Sequence, residues 1–179
     1  MRIEQLRQHL RRLGANAGHE AHVLRRWAQA RPQASGRRRL EHYLPQALRD
    51  ELPALVDELA GLARLRSEHP AADGSSRLLV ELADGQTVES VLLPRGGLCV
   101  STQVGCAVGC VFCMTGRDGL TRQLGSAEIV AQVALARALR PVKKVVLMGM
   151  GEPAHNLDNV MAAIELLGHE GAIGHKNIV

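Results

Sequence analysis

GCAVGCVFC, residues 105–113, sets Cys106, Cys110 and Cys113 at spacings of four and three residues. A second glycine-bounded motif, GMGEP at residues 149–153, follows one helical and one strand-like stretch later. Three thiolates on a short loop containing glycine suit a soft metal centre. A structural zinc site takes four protein ligands, commonly as paired Cys-x2-Cys units. Here one spacing has three intervening residues and the other two, and the nearest extra thiol is Cys99, seven residues before Cys106. A 4Fe-4S cluster held by three cysteines accounts for the pattern better, because it leaves one iron open to a small molecule. The alternatives are a zinc knot completed by Cys99 or His155, and cysteines with no metal role.

Residues 98–104 read as a strand delivering the chain to this loop. After it, Ser126 can cap a helix over 127–140, with Glu128 in the first turn and Arg137 and Arg140 in the last, each charge matched to its end of the helix dipole. Residues 143–148 form an apolar run of the kind buried on both faces. Residues 157–167 give an amphipathic helix, and 176–179 begin another β-like run. This alternation is the start of a parallel α/β sheet or barrel. A last strand of only four residues marks the chain as an expected fragment.

Upstream, residues 77–82 and 87–93 flank Asp84-Gly85, a tight-turn pair, and predict a β-hairpin. AADGSS at 71–76 reads as a turn-rich linker. Before it the periodicity is helical: 3–13 with Leu6, Leu10 and Leu13, stopped by Gly14; 18–30 with Val23, Leu24 and Trp27; a turn or two from Pro45 to about residue 51; and 52–65 with Pro53 in its first turn. Three segments follow: a helical accessory domain over 1–70, a linker and hairpin over 71–97, and a catalytic segment over 98–179.

Charge is uneven. The net value is +4, yet residues 1–50 hold 11 Arg against 4 acids, and the remainder balances at −3. Arg37, Arg38 and Arg39 in the head are a candidate RNA contact, or else solvated surface. One Trp, one Tyr and one Phe argue against reading single-stranded RNA by base stacking on aromatic platforms. With no apolar run of membrane-spanning length and no secretory leader pattern, a cytoplasmic location without membrane contact is expected. Four cysteines in such a chain read as ligands or reactive thiols rather than structural disulfides.

CAVGCVFC matches the C-x3-C-x-Φ-C signature of radical S-adenosylmethionine enzymes. The longer runs LCVSTQVGCAVGCVFCMTG (98–116), GLTRQL (119–124) and VVLMGMGEPAHNLDNV (145–160) resemble the adenine methyltransferases of large-subunit ribosomal RNA. Within that family the chain is more similar to the carbon-2 enzyme of 23S ribosomal and transfer RNA than to the carbon-8 resistance enzyme. LRRW and ALRDEL in the head resemble the family's accessory domain.

The resemblance implies a partial radical-SAM (βα)6-type barrel of two to three units, preceded by the hairpin and the helical domain. It implies one 4Fe-4S cluster on Cys106, Cys110 and Cys113 with Phe112 packed beside it, and S-adenosylmethionine held by Gly151 and Glu152, with Asn156 as a further candidate. It also implies Glu89 as proton acceptor and Cys99 as a second reactive cysteine. That thiol would pair with a methyl-carrying cysteine near the C-terminus of the family's proteins and release the methylated adenine by forming a disulfide. A monomer served by an electron donor such as flavodoxin is expected. No cysteine follows Cys113, so the 179 residues by themselves are expected to be inactive. Another RNA or adenine target, or a non-enzymatic metal-stabilised RNA-binding module, are the competing functions.

Overall fold

The computed structural model describes residues 1–35 and 39–179, so Arg37 and Arg38 lie outside the described residues. Arg39 is exposed, 3.7 Å from the Glu41 carboxylate. Helix α1 (Ile3–Arg12) buries Ile3, Leu6 and Leu10 along one stripe. Helix α2 (Ala17–Ala28) starts at Asn16, whose side-chain oxygen accepts from the His19 N–H at 3.0 Å, and buries Val23, Leu24 and Trp27. Glu20 on α2 is only 4% exposed. It accepts from Arg11 Nε at 2.8 Å and from Arg7 Nη1 at 3.2 Å. Glu20→Gln is expected to lower stability by about 1–2 kcal/mol, read as a shifted urea midpoint. The effect stays below that of a fully buried pair because both guanidiniums can turn to water.

After the single turn α3 (Leu40–Tyr43), helix α4 runs unbroken over Gln46–Gly61 with Pro53 inside it. Two helices with Pro53 in a first turn were the expectation. The buried stripe Leu48, Leu52, Leu55, Leu59 spans the proline, and burying four leucines outweighs the roughly 3 kcal/mol that an interior proline costs. The helix stops at Gly61, short of the expected residue 65, and Ala63–Pro70, expected to close the helical domain, is strand β1.

Strands β2 (Ser76–Leu82) and β3 (Thr87–Leu93) form the expected hairpin, with six directly opposed pairs from Ser76 opposite Leu92 to Glu81 opposite Thr87. AADGSS is the turn joining β1 to β2, closed by Ala71 N–H on the Ser75 carbonyl and by Asp73 accepting from Ser75 N–H. The expected strand over 98–104 is two: β4 (Gly97–Cys99) in the main sheet, and β5 (Gln103–Gly105), which pairs with β6 (Leu120–Gln123) in a separate ribbon. Helix α5 (Ser126–Leu139), strand β7 (Lys144–Val146) and helix α6 (Leu157–His169) follow.

The main sheet has the order β1-β2-β3-β4-β7, with β4 and β7 parallel and the rest antiparallel. Beyond β7, Ile178 bridges Val145 in parallel. The architecture is thus a helical region followed by an open mixed sheet, in which the hairpin is continuous with the βα units rather than placed before them.

One sheet face, built from Leu78, Val80, Leu82, Val88, Leu92 and Leu98, is buried with Ile129, Val130 and Val133 of α5. The helical head joins the same apolar core. Ser126 does not cap α5: its hydroxyl accepts from the Ile3 N–H at 2.9 Å, while Gly125 takes the cap position and donates to Glu128 Oε2 at 2.7 Å. Arg137 donates to the Ala28 and Gly171 carbonyls, both at 2.7 Å, and so ties α5 to the end of α2 and to the turn after α6. Among the described residues no helix is long and apolar enough to cross a membrane.

Candidate active site at the cysteine loop

Alternation around Val88 and Val91 does not fix which way Glu89 points, and the register decides it. Arg77, Val91, Cys99 and Val146 stand directly across from one another on four neighbouring strands. Their row lies on the face away from the buried Val88, Leu92 and Leu98. Glu89, two residues from Val91, shares that face. Its Oε1 accepts from Arg77 Nη1 at 2.9 Å, across the diagonal of β2 and β3. Cys99 is half-buried, and burial pushes its thiol above the ordinary range, with a hydrogen bond from the Met148 backbone working against the shift.

The two limbs of the cysteine loop are β5 and β6, held by Cys106 N–H on the Gly119 carbonyl at 3.0 Å. Gly105 has φ +75°, and a Cβ there would lie 2.1 Å from the same Gly119 oxygen. Inside the loop Cys113 N–H donates to the Cys110 carbonyl at 3.0 Å. Cys110 and Cys113 line a hollow of 330 Å³ with Val111, Phe112, Met114 and Arg117. Hydrogen bonds with the Thr115 side chain and then its backbone hold the Cys113 thiol below the usual range. Phe112 is 88% exposed.

Among the described residues no three Cys, His, Asp or Glu side chains converge as a preformed metal cage. The donor set nevertheless fits an iron–sulfur centre: three thiols free of disulfides on one short loop, two of them open to solvent and one half-buried.

β4 and β7 are parallel, so the cysteine loop and the 149–153 loop leave the sheet at the same end. The two glycines of GMGEP serve close backbone packing here. A Cβ on Gly149 would meet the Val100 carbonyl at 2.7 Å, and one on Gly151 would meet Gln103 Cβ at 2.5 Å. Met150 O accepts from Thr102 and Gln103 N–H, and Glu152 N–H donates to Gln103 Oε1 at 2.8 Å. One Glu152 carboxylate oxygen accepts from Ala154 N–H at 3.0 Å.

Asn156 is buried, and its amide is engaged by the protein. Its Nδ2 donates to the Thr102 and Leu124 carbonyls, both at 2.8 Å, and its Oδ1 accepts from Asn159.

Two residues that the sequence did not single out hold these loops. Gln103 bridges Glu152 N–H and Gln123 Oε1. Arg122 on β6 contacts Asp84 at the hairpin turn and Glu128 at the start of α5. Both lie inside conspicuous motifs, but no spacing rule marks a bridging side chain.

Over all its 179 residues the chain is 77% identical to a protein of Methylibium petroleiphilum named a probable RNA methyltransferase, covering 51% of it. It is 73% identical to one so named from Leptothrix cholodnii, covering 52%. The chain therefore spans about half the length of these curated relatives. A crystal structure of a radical SAM methyltransferase from Sphaerobacter thermophilus superposes with a TM-score of 0.71 at 32% identity, over 99% of this chain and 54% of that one. Residues 100–179, which contain both the cysteine loop and GMGEP, match the model of the radical SAM superfamily.

Proposed function

We propose that the chain supplies the cluster- and cofactor-binding part of a radical S-adenosylmethionine RNA methyltransferase acting on carbon 2 of an adenine in 23S ribosomal RNA, with transfer RNA as a second substrate. The observation that supports this reading is that the parallel neighbours β4 and β7 lead, at the same end of the sheet, toward two loops whose bases are tied together by the Gln103–Glu152 contact. One loop bears three thiols and the other GMGEP, and Glu89 and Cys99 share the open sheet face beside them. The names of the relatives support RNA as substrate. The sheet would continue into a (βα)6-type barrel in the longer protein.

Cys106, Cys110 and Cys113 would hold the 4Fe-4S cluster beside Phe112, and Gly151 and Glu152 would hold S-adenosylmethionine. When bound, these groups supply one-electron chemistry and a hydrogen-abstracting radical. Glu89 would take the proton lost from the adenine carbon, with Arg77 orienting its carboxylate. Cys99 would form a disulfide with a methyl-carrying cysteine outside residues 1–179: its thiolate would attack that cysteine's sulfur, the sulfur–methylene bond would break, and the released methylene carbon, keeping the electron pair, would take up a proton to become the methyl group on adenine. Asn156 would act by fixing the 149–153 loop. Arginines of the head, Arg39 among them, would meet RNA phosphates, and an electron donor such as flavodoxin would serve the cluster.

Anaerobic reconstitution of the full-length protein is expected to give about four irons per chain, and 2-methyladenine in treated 23S RNA. Bound zinc without iron would overturn the radical reading in favour of a metal-stabilised RNA-binding module. Production of 8-methyladenine alone would overturn the carbon-2 assignment.

A further inference from the structure

Ser101 is wholly buried where the chain leaves β4, and its polar contacts reach three different elements. Its hydroxyl donates to the Glu89 carbonyl at 2.5 Å and accepts from Met150 N–H at 2.8 Å. Its backbone N–H donates to Gln132 Oε1, and its carbonyl accepts from Gln132 Nε2, both at 2.9 Å. Gln132, on α5, is also wholly buried. Its remaining contacts are an acceptance from the Ser90 hydroxyl at 2.9 Å and a donation to the Glu128 carbonyl at 3.3 Å. Both of its amide hydrogens and two lone pairs are therefore engaged, which fixes its orientation in a low-dielectric interior.

We propose that Ser101, oriented by Gln132, is the positioning residue that sets the strand carrying Glu89 against the cofactor loop. The proposal rests on the radical methyltransferase reading of this site. In the sheet, β4 separates β3 from β7, so no ladder hydrogen bond can join the Glu89 strand to residues 149–152. The Ser101 hydroxyl makes that link, with its donor on one segment and its acceptor on the other. A serine that only filled space would need neither. Gln132 pins the Ser101 peptide on both its N–H and its carbonyl, which leaves the hydroxyl one direction in which it can satisfy both partners. Ser90, the neighbour of Glu89, is held by the same amide, so the clamp grips β3 at two successive residues.

The test uses reconstituted full-length protein and its Ser101→Ala, Ser101→Thr and Gln132→Leu variants. The readouts are iron content, urea midpoint, RNA affinity and equilibrium affinity for S-adenosylhomocysteine. Ser101→Ala and Gln132→Leu are expected to weaken S-adenosylhomocysteine binding about tenfold, the scale of one buried hydrogen bond left unmade. Iron content and RNA affinity should stay at the wild-type level, and Ser101→Thr, which keeps the hydroxyl, should restore most of the affinity. Wild-type S-adenosylhomocysteine affinity in Ser101→Ala would overturn the proposal. So would parallel losses of iron, midpoint and RNA affinity, which denote a general folding defect. A wild-type protein that takes up no iron would instead overturn the reading on which the proposal rests, whatever Ser101 does.

Discussion

Gly105→Ala is expected to abolish cluster uptake by the full-length protein and to lower its stability by about 2–5 kcal/mol, the combined scale of backbone strain and overpacking. The backbone at Gly105 has φ +75°, a conformation that L side chains rarely adopt. The added Cβ would also lie 2.1 Å from the Gly119 carbonyl oxygen. That atom is backbone and cannot swing aside, and it is the acceptor for Cys106 N–H. Relief therefore means separating β5 from β6, the two limbs that present the cysteines. Gly109→Ala is the matched control. Its φ is +68°, but among the described residues nothing lies within 4 Å of an added Cβ, so only the left-handed strain of roughly 1–2 kcal/mol remains and iron should still be taken up. Iron analysis and urea midpoints check both, and equal iron loss in the two variants would contradict the assignment of the effect to the limbs.

Arg122→Ala should cost about 2–4 kcal/mol, because it strands a nearly buried carboxylate. Glu128 has a side chain 7% exposed and accepts from Arg122 Nη2 at 2.9 Å and Nη1 at 3.1 Å. Burial works against the Arg122 charge, but hydrogen bonds to Glu128 and then Asp84 more than offset it and raise its pKa. The Gly125 N–H remains on Glu128 in the variant, and Arg122 itself is partly exposed, so the loss should fall short of the largest seen for buried pairs. Replacing both partners, Arg122→Met with Glu128→Gln, should recover much of the stability.

The pairing also predicts a pH signature. Asp84 is held below the usual carboxylate range first by the Arg122 hydrogen bond. A depressed folded-state pKa stabilises at neutral pH, and the contribution is lost as pH falls below about 4. Arg122→Ala should therefore flatten the acid limb of the stability profile. An unchanged limb would show that Asp84 draws its stabilisation from elsewhere.

The locally encoded parts of the fold were legible. The leucine spacing of α1 and α2, the Asp84-Gly85 hairpin, the existence of α5 and the helix after residue 156 depend on neighbours within a few positions. The differences arise where a distant partner decides. Ser126 has the chemistry of a cap, yet Ile3, 123 residues away, takes its hydroxyl. Residues 98–104 have one strand-like texture, yet β4 finds a parallel partner in β7 and β5 finds β6. Residues 63–65 end a helical stripe in the sequence but begin strand β1, which pairs along β2.

For the site, the amino-acid sequence by itself supplied the candidates: three cysteines at fixed spacings and GMGEP by their pattern, Glu89 and Cys99 through the family resemblance. Cysteine and glycine carry chemistry or backbone freedom that few other residues supply, so their spacing is informative without coordinates. Only the tertiary structure decided the facing of Glu89, the arginine on its carboxylate, and the shared buried contacts of Ser101, Gln103, Gln132 and Arg122. A polar side chain has several possible partners along the chain, and which of them it meets depends on strand register and helix placement set by the whole core.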